Sequence, residues 1–199
     1  MEFLDRLKDD IVFATSAVRA LRLTTPIAKN PTRVFPLVVA ELASRFGEQP
    51  ALISDRESFS YRALHERANR YTRWAQQQNL AKGETICLMM PNRPEYMAAW
   101  LGITSAGGVV ALININLVGP SLAHCIDIVE PKHIIVATEL AGVFATARPL
   151  VKSAAKVWSH GESTELPRID TAVDALPGDA LAASERPTLT IEDRALYIY

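Results

Sequence analysis

The stretch ETICLMMPNRPEYMAAWLGITSAGGVVALI, from Glu84 to Ile113, contains the pattern of a strand, a helix and a second strand. ETICLMM is apolar on both faces, as a central strand of a parallel sheet must be. The helix is predicted to be capped by Asn92, to carry Pro94 in its first turn, and to end at Gly107 and Gly108. VVALI then predicts the second strand. A strand, helix and strand in this order indicate a parallel sheet.

The same alternation continues towards the C-terminus. It predicts a helix in SLAHCIDIVE closed by Pro131, a strand HIIVA, a helix capped by Thr138 that reaches Pro149, a strand KVWSH and a last strand Ala195–Tyr199. The predicted fold class is therefore α/β, with an open parallel sheet, right-handed crossovers and helices on both faces. Between Gly161 and Thr190 the sequence has several prolines and no firm periodicity, which indicates a surface excursion.

Between the N-terminal segment and the sheet, two helices and a short hairpin are predicted. One helix has Phe35, Val38, Val39, Leu42 and Phe46 on one face, with Asn30 or Thr32 as its cap and Gly47 as its stop. ALISDRESFSY reads as two short strands that turn at Asp55 and Arg56. Ser60 then opens a long helix that closes near Asn79 and Gly83, with an apolar line at Leu64, Ala68, Tyr71 and Ala75.

The N-terminal segment has the spacing of an amphipathic helix. Its apolar line is Leu4, Leu7, Ile11, Ala14, Val18 and Leu21, and Pro26, Asn30 and Pro31 are predicted to end it. Two interpretations stay open: peripheral contact of residues 1–25 with a membrane surface, or docking on the body of the protein. The predicted division is an amphipathic helix and linker over residues 1–30, followed by a domain over residues 31–199.

Composition limits the classes of function. The 199 residues carry 21 Lys and Arg against 22 Asp and Glu, so the net charge is -1 and no basic stripe points to nucleic acid. No secretory signal is apparent, and Cys87 and Cys125 are far apart, as small core residues in a reducing compartment would be. The expected location is cytoplasmic, with the membrane surface as the alternative raised by residues 1–25.

Composition and spacing alone reveal no active site. Neither GxGxxG nor GxxxxGK[ST] occurs, and Gly102, Gly107 and Gly108 fit a helix end and a close packing contact. The remaining candidates have ordinary structural explanations: Ser153 and Lys156 as a chance Ser-Lys spacing, His124 and His133 as core or surface histidines, and Asn114 and Asn116 as turn residues.

Several stretches together resemble the adenylate-forming, AMP-binding superfamily of acyl-CoA synthetases, adenylation domains and luciferases. SFSYRAL (58–64) and ITSAGGVVALIN (103–114) resemble its first two core motifs, and LMMPNRPEYMAAWLG fits the elements between them. NINLVGPSLAHC (114–125) is similar to the fatty acid transport protein branch, which contains long-chain acyl-CoA synthetases. The resemblance runs from about Phe35 to Tyr199, where ALYIY matches the lead-in to the superfamily's phosphate-binding loop.

This resemblance implies a two-step reaction in a complete enzyme. A fatty carboxylate attacks the α-phosphate of Mg-ATP to give acyl-adenylate, and the thiol of coenzyme A then displaces AMP. ATP, Mg and coenzyme A are the implied cofactors and cosubstrates. The family's catalytic, nucleotide-binding and metal-binding groups match no position before 199, so no site residue of any of these kinds is carried over. The chain is accordingly expected to be an N-terminal fragment that is inactive alone and binds none of these cofactors.

The residues leave other interpretations open. One is a non-catalytic α/β module that binds a partner. Others are fragments of a carnitine- or medium-chain CoA ligase or of a peptide-synthetase adenylation domain. Animal members of the transport branch begin with a membrane-spanning segment, whereas this chain has the amphipathic stretch there.

Overall fold

A computed structural model describes residues 2–199, without the side chains of residues 2–5 and 7. Leu4 and Leu7 of the predicted apolar line therefore lie outside the described side chains. The helices are α1 Glu2–Lys29, α2 Phe35–Phe46, α3 Tyr61–Gln77, α4 Pro94–Ser105, α5 Gly119–Asp127, α6 Ala141–Ala147 and α7 Ile169–Asp174. The strands are β1 Pro50–Ile53, β2 Ser58–Ser60, β3 Thr85–Met89, β4 Val109–Leu112, β5 His133–Ala137, β6 Lys156–His160 and β7 Leu196–Ile198.

Five strands form a parallel sheet in the order β6-β5-β3-β4-β7, and β1 and β2 form a separate antiparallel hairpin. This confirms the predicted fold class, and β3, β4, β5 and β6 agree with the predicted strands to within a residue. β3 and β5 are buried along their whole length, because helices cover both faces of the sheet.

Alternate residues of the central strand enter two separate cores. Ile86 and Leu88 pack with α3, α4 and α7 on one face, and Cys87 and Met89 pack with α5 and α6 on the other. Cys87 is thus a core residue, as predicted, and burial raises the pKa of its thiol.

The topology reverses direction at β3. Helix α4 carries the chain from β3 to β4, and α5 then carries it back across β3 to β5 on the other side. α4 and α5 lie on opposite faces of the sheet, as crossovers of one hand require when they run in opposite directions. The carboxyl ends of β3 and β5 consequently flank a crevice of the kind where open α/β sheets bind ligands.

Three predicted helix caps are wrong. The caps of α2 and α4 are Val34 and Arg93, neither with a side-chain hydrogen bond, because Pro36 and Pro94 in the first turns fix where these helices begin. Asn30, Thr32 and Asn92 therefore lie outside the cap position. The hydroxyl of Thr138 donates instead to the carbonyls of His160 and Glu162, both at 3.0 Å, and so joins the ends of β5 and β6.

Other predicted boundaries hold. Ser60 caps α3, where its hydroxyl accepts a hydrogen bond of 3.1 Å from the amide of Ala63. Gly47 and Gly107, with φ of +49° and +92°, follow α2 and α4 as predicted.

The segment after β6 is more ordered than its sequence indicated. It contains α7, whose Ile169 and Val173 are fully buried. Beyond α7 the chain is held against α3 by side chains that donate to its carbonyls: Asn69 to Gly178, and Arg73 to Pro177 and Asp179.

Helix α1 continues through Pro26 to Lys29, so the predicted break at Pro26 is wrong. Hydroxyl groups of Thr24 and Thr25 donate to carbonyls one turn earlier. All described side chains of α1 are exposed except that of Ala17, which is half-buried. Within residues 2–199, no helix combines the length and the apolar character needed to cross a bilayer.

Candidate ligand site at the carboxyl ends of the strands

A polar network lies at the crevice between β3 and β5. We call it the Glu95 network, and its members are Arg67, Tyr71, Arg93, Glu95, Glu139 and His160. Arg93 and Glu95 follow β3, Glu139 follows β5, and His160 is the last residue of β6. Arg67 and Tyr71 approach from α3.

Glu95 is the centre of this network and its side chain is only 5% exposed. Its Oε1 accepts hydrogen bonds from the Tyr71 hydroxyl at 2.5 Å and from Nε of Arg67 at 2.9 Å. Burial alone raises the pKa of the Glu95 carboxyl, but the hydrogen bonds from His160 and Arg67 and the charge of Arg67 outweigh burial and lower that pKa to about 2. Glu95 is therefore a buried carboxylate that stays ionised.

Glu95 changes the ionisation of its partners in turn. Burial and the Glu95 charge raise the pKa of Tyr71 well above its ordinary value, so its hydroxyl stays a donor. Burial lowers the pKa of the Arg67 guanidinium, but pairing with Glu95 outweighs this and raises it overall. Arg67 also pairs with Asp174, which ties α7 to α3.

His160 joins Glu95 to Arg93. Its Nε2 lies 3.2 Å from Oε1 of Glu95, and its Nδ1 lies 3.0 Å from Nη2 of Arg93. Because a guanidinium can only donate, Nδ1 accepts and the proton of the neutral ring is assigned to Nε2, which donates to Glu95. Arg93 completes the chain through Nη1, which donates to Oε1 of Glu139 at 2.6 Å.

A close approach of two helices places Tyr71 over Glu95. A Cβ atom on Gly102 of α4 would lie 2.3 Å from the carbonyl oxygen of Ala68 and 2.4 Å from Cβ of Tyr71. The hydroxyl of Thr72 donates to the carbonyl of Gly102 at 3.0 Å across the same contact. Gly102 therefore has the predicted packing role.

The structure does not bring the other sequence candidates into this site. Lys156 stacks its Nζ 4.1 Å from the ring centre of Trp158, whereas the Ser153 hydroxyl accepts from the amide of Ala155. Asn114 accepts from the amide of Asn116 at 3.0 Å, which is the predicted turn role.

The two histidines and the remaining cysteine also fall outside the network. His124 is exposed, and His133 is buried at the start of β5. Cys125 lies on α5, is half-buried and packs against the core on the α5 and α6 face. Among the side chains that the structure describes, no three of His, Cys, Asp or Glu are grouped to hold a metal ion.

Sequence reasoning missed the Glu95 network, although one signal was available. Arg93, Glu139 and His160 each end or follow a predicted strand, and neighbouring parallel strands end at one edge of the sheet. Arg67 and Tyr71 had no such signal, because they lie 28 and 24 residues before Glu95 on a different helix.

A separate cavity of about 430 Å³ lies between α6 and the segment after β6. Val136, Phe144 and Leu166 form apolar parts of its wall, and Arg148, Glu162 and Glu165 also line it. Val136 and Phe144 belong to the core on the α5 and α6 face, so this cavity is distinct from the Glu95 network.

Comparison with known proteins gives consistent matches. The model of the AMP-binding enzyme family matches residues 39–199. Long-chain fatty acid transport protein 6 of Mus musculus is 27% identical over 81% of this chain and 27% of its own length. A long-chain-fatty-acid–CoA ligase of Salmonella typhimurium is 33% identical over 58% of this chain and 21% of its own length.

A solved anthranilate CoA ligase in complex with anthranoyl-AMP has the same fold over this region. It superimposes with a TM-score of 0.75 at 16% identity, over 85% of this chain and 33% of that protein. The chain thus spans about a third or less of the length of these relatives.

Proposed function

This chain belongs to the AMP-binding enzyme family, and from that premise we propose that it is the N-terminal part of a long-chain fatty acyl-CoA synthetase. The proposed reaction joins a fatty carboxylate to the α-phosphate of Mg-ATP with release of pyrophosphate. The thiol of coenzyme A then attacks the acyl carbon, and AMP leaves. The family match over residues 39–199 carries this proposal, together with a sheet that superimposes on acyl-CoA ligases.

The long-chain substrate is the finer part of the proposal. It is supported by the names of the similar proteins, a long-chain fatty acid transport protein and a long-chain-fatty-acid–CoA ligase. A test is to express the complete reading frame and to compare AMP formation with palmitate, octanoate and benzoate. Highest kcat/KM with palmitate is expected, and a preference for benzoate would contradict the proposal.

Residues 1–199 alone are proposed to be inactive and to bind Mg-ATP with a Kd above about 1 mM. The physical support is the charge at the carboxyl edge of the sheet. Both guanidinium groups there, Arg67 and Arg93, are already paired with carboxylates. A triphosphate would gain little attraction at such an edge.

Calorimetry of residues 1–199 with Mg-ATP tests this second part separately. Micromolar binding would contradict the weak affinity, and AMP formation from palmitate by residues 1–199 would contradict inactivity of the chain. Either result would leave the family reaction intact. The two parts of the proposal can therefore fail independently.

Helix α1 is proposed to make peripheral contact with membranes, through residues 1–25 of the proposed segment 1–30. The exposed side chains of Phe13, Leu21 and Leu23 support this, since each is more than 60% exposed. Co-sedimentation with phosphatidylcholine vesicles containing phosphatidylserine should fall in the double variant Phe13→Glu, Leu23→Glu. A matched variant in the body of the protein, Ile53→Glu, also replaces an exposed apolar side chain and should leave co-sedimentation unchanged.

A further inference from the structure

The side chain of Arg93 is held by its neighbours at the crevice between β3 and β5. It is 20% exposed, its Nη2 donates to His160 at 3.0 Å, and its Nε lies 3.8 Å from Oε1 of Glu57 without forming a hydrogen bond. His160 is itself oriented by the buried carboxylate of Glu95. The guanidinium is thus oriented by groups that do not use its Nη1 donor.

That Nη1 donor binds Glu139, whose attachment differs from that of Glu95. Glu139 lies on a short 3-10 turn, Thr138–Leu140, and its side chain is 39% exposed. Among the described residues, its carboxylate accepts a hydrogen bond from Arg93 alone. Glu95 in contrast is buried and accepts from Arg67, Tyr71 and His160. The Glu139 carboxylate can therefore move away from Arg93 into solvent at a low cost in free energy.

The charges around Arg93 select the kind of anion that could replace Glu139. Glu57 and Glu95 remain nearby when Glu139 moves out to solvent. A monocarboxylate in the place of Glu139 restores the same charge and the same hydrogen-bond geometry at the guanidinium. A phosphate dianion would bring an additional negative charge close to Glu57 and Glu95, which is unfavourable.

We propose that Arg93 is a binding site for a monocarboxylate ligand, and that the side chain of Glu139 occupies this site as an internal competitor until the ligand displaces it. The bound ligand accepts from Nη1 of Arg93 while His160 keeps Nη2 in place. This proposal stands on the geometry of the Glu95 network and does not depend on the proposed ligase reaction.

The test is an NMR titration of the 199-residue chain with sodium propionate up to about 200 mM, with sodium chloride keeping the ionic strength constant because salt screens exposed ion pairs. The signals to follow are the backbone amides of Arg93 and Glu139 and the ring of His160. In Glu139→Gln the competitor has lost its charge, so propionate should bind about two- to five-fold more tightly than to the unchanged chain. Arg93→Gln should abolish the response.

Glu41→Gln is the matched control, because Glu41 is the exposed partner of Arg33 in an arginine–glutamate ion pair outside the Glu95 network. It should leave propionate affinity unchanged. Glu139→Gln changes an exposed residue and should preserve the fold. The sign of its effect on propionate affinity therefore decides the test even if Arg93→Gln does not fold. The proposal is overturned if Glu139→Gln fails to bind propionate more tightly, or if it binds inorganic phosphate more tightly than propionate.

Discussion

The indole Nε1 of Trp158 donates a hydrogen bond of 3.2 Å to Nδ1 of His133, at the first residue of β5. His133 is 5% exposed and its ring centre lies 5.5 Å from that of Trp74. Because Nδ1 accepts, the neutral ring carries its proton on Nε2, and a second proton would have to displace Trp158. Burial lowers the pKa of His133 to about 4 from its ordinary 6.5.

This relationship predicts an acid-sensitive stability. Between pH 6.5 and about 4 the unfolded chain binds a proton at His133 and the folded chain does not, so the free energy of unfolding should fall as the pH falls through that window. The loss should approach about 3 kcal/mol and level off below pH 4. Urea unfolding of the wild-type chain and of His133→Phe over this pH range measures it.

His133→Phe should show the flatter pH dependence. Exposed His124 offers the matched control, since His124→Gln should follow the wild-type curve. Equal slopes for wild type and His133→Phe would show that His133 does not titrate as described.

The Glu95 network predicts that removing one of its buried hydrogen-bond donors lowers the free energy of unfolding. In Tyr71→Phe the carboxylate of Glu95 loses its 2.5 Å hydrogen bond, and the free energy of unfolding at pH 7 should fall by about 1.5–3 kcal/mol. Tyr61→Phe is the control, because Tyr61 is half-buried against Phe46 and its hydroxyl has no hydrogen-bond partner among the described residues. Chemical denaturation at pH 7 compares the two, and an equal effect of both changes would contradict the role given to the Tyr71 hydroxyl.

The strands of the sheet were predictable because each carries its own local signal. ETICLMM and HIIVA are apolar on both faces and are bounded by Gly83, Pro91 and Pro131. A strand covered by helices on both faces typically has that composition. Helix caps were less predictable, because Asn and Thr suit many turns and the first-turn prolines decided where α2 and α4 begin.

The site and α7 depend on contacts between distant parts of the chain. His160 and Glu95 are 65 residues apart, and their positions at the ends of predicted strands are the one local signal that they could meet. α7 is six residues long, too short for a helical period to emerge, and its position follows from contacts such as that of Arg70 with the carbonyl of Asp174.

The cap of α3 predicts that replacing Ser60 by alanine lowers stability more than replacing Ser44 does. Ser60→Ala removes the acceptor for the amide of Ala63 and should lower the free energy of unfolding by about 1 kcal/mol. Ser44 lies inside α2, where its hydroxyl donates to the carbonyl of Ala40, and Ser44→Ala should be neutral or slightly stabilising because alanine is the better helix former. Thermal unfolding of both variants checks the difference, and equal melting temperatures would show that Ser60 does not stabilise the helix start.

The contact of α3 with α4 predicts opposite effects of one substitution at two glycines. Gly102→Ala places a Cβ atom 2.3 Å from the carbonyl oxygen of Ala68, so α3 and α4 must separate, and the free energy of unfolding should fall by about 3 kcal/mol. Gly142 lies in α6 with no atom within 4 Å of an added Cβ, and Gly142→Ala should raise that free energy by up to about 1 kcal/mol.

Separation of the helices also has a local consequence at the site. Tyr71 lies at the same contact, 2.4 Å from the added Cβ of Gly102→Ala, and its hydroxyl reaches Glu95 only while α3 stays close to α4. The Tyr71→Phe change should therefore cost less in the Gly102→Ala background than in the wild type, which a double-mutant cycle in urea measures. Additive effects would mean that the α3–α4 contact and the Glu95 network are independent, and the close approach at Gly102 would then serve packing alone.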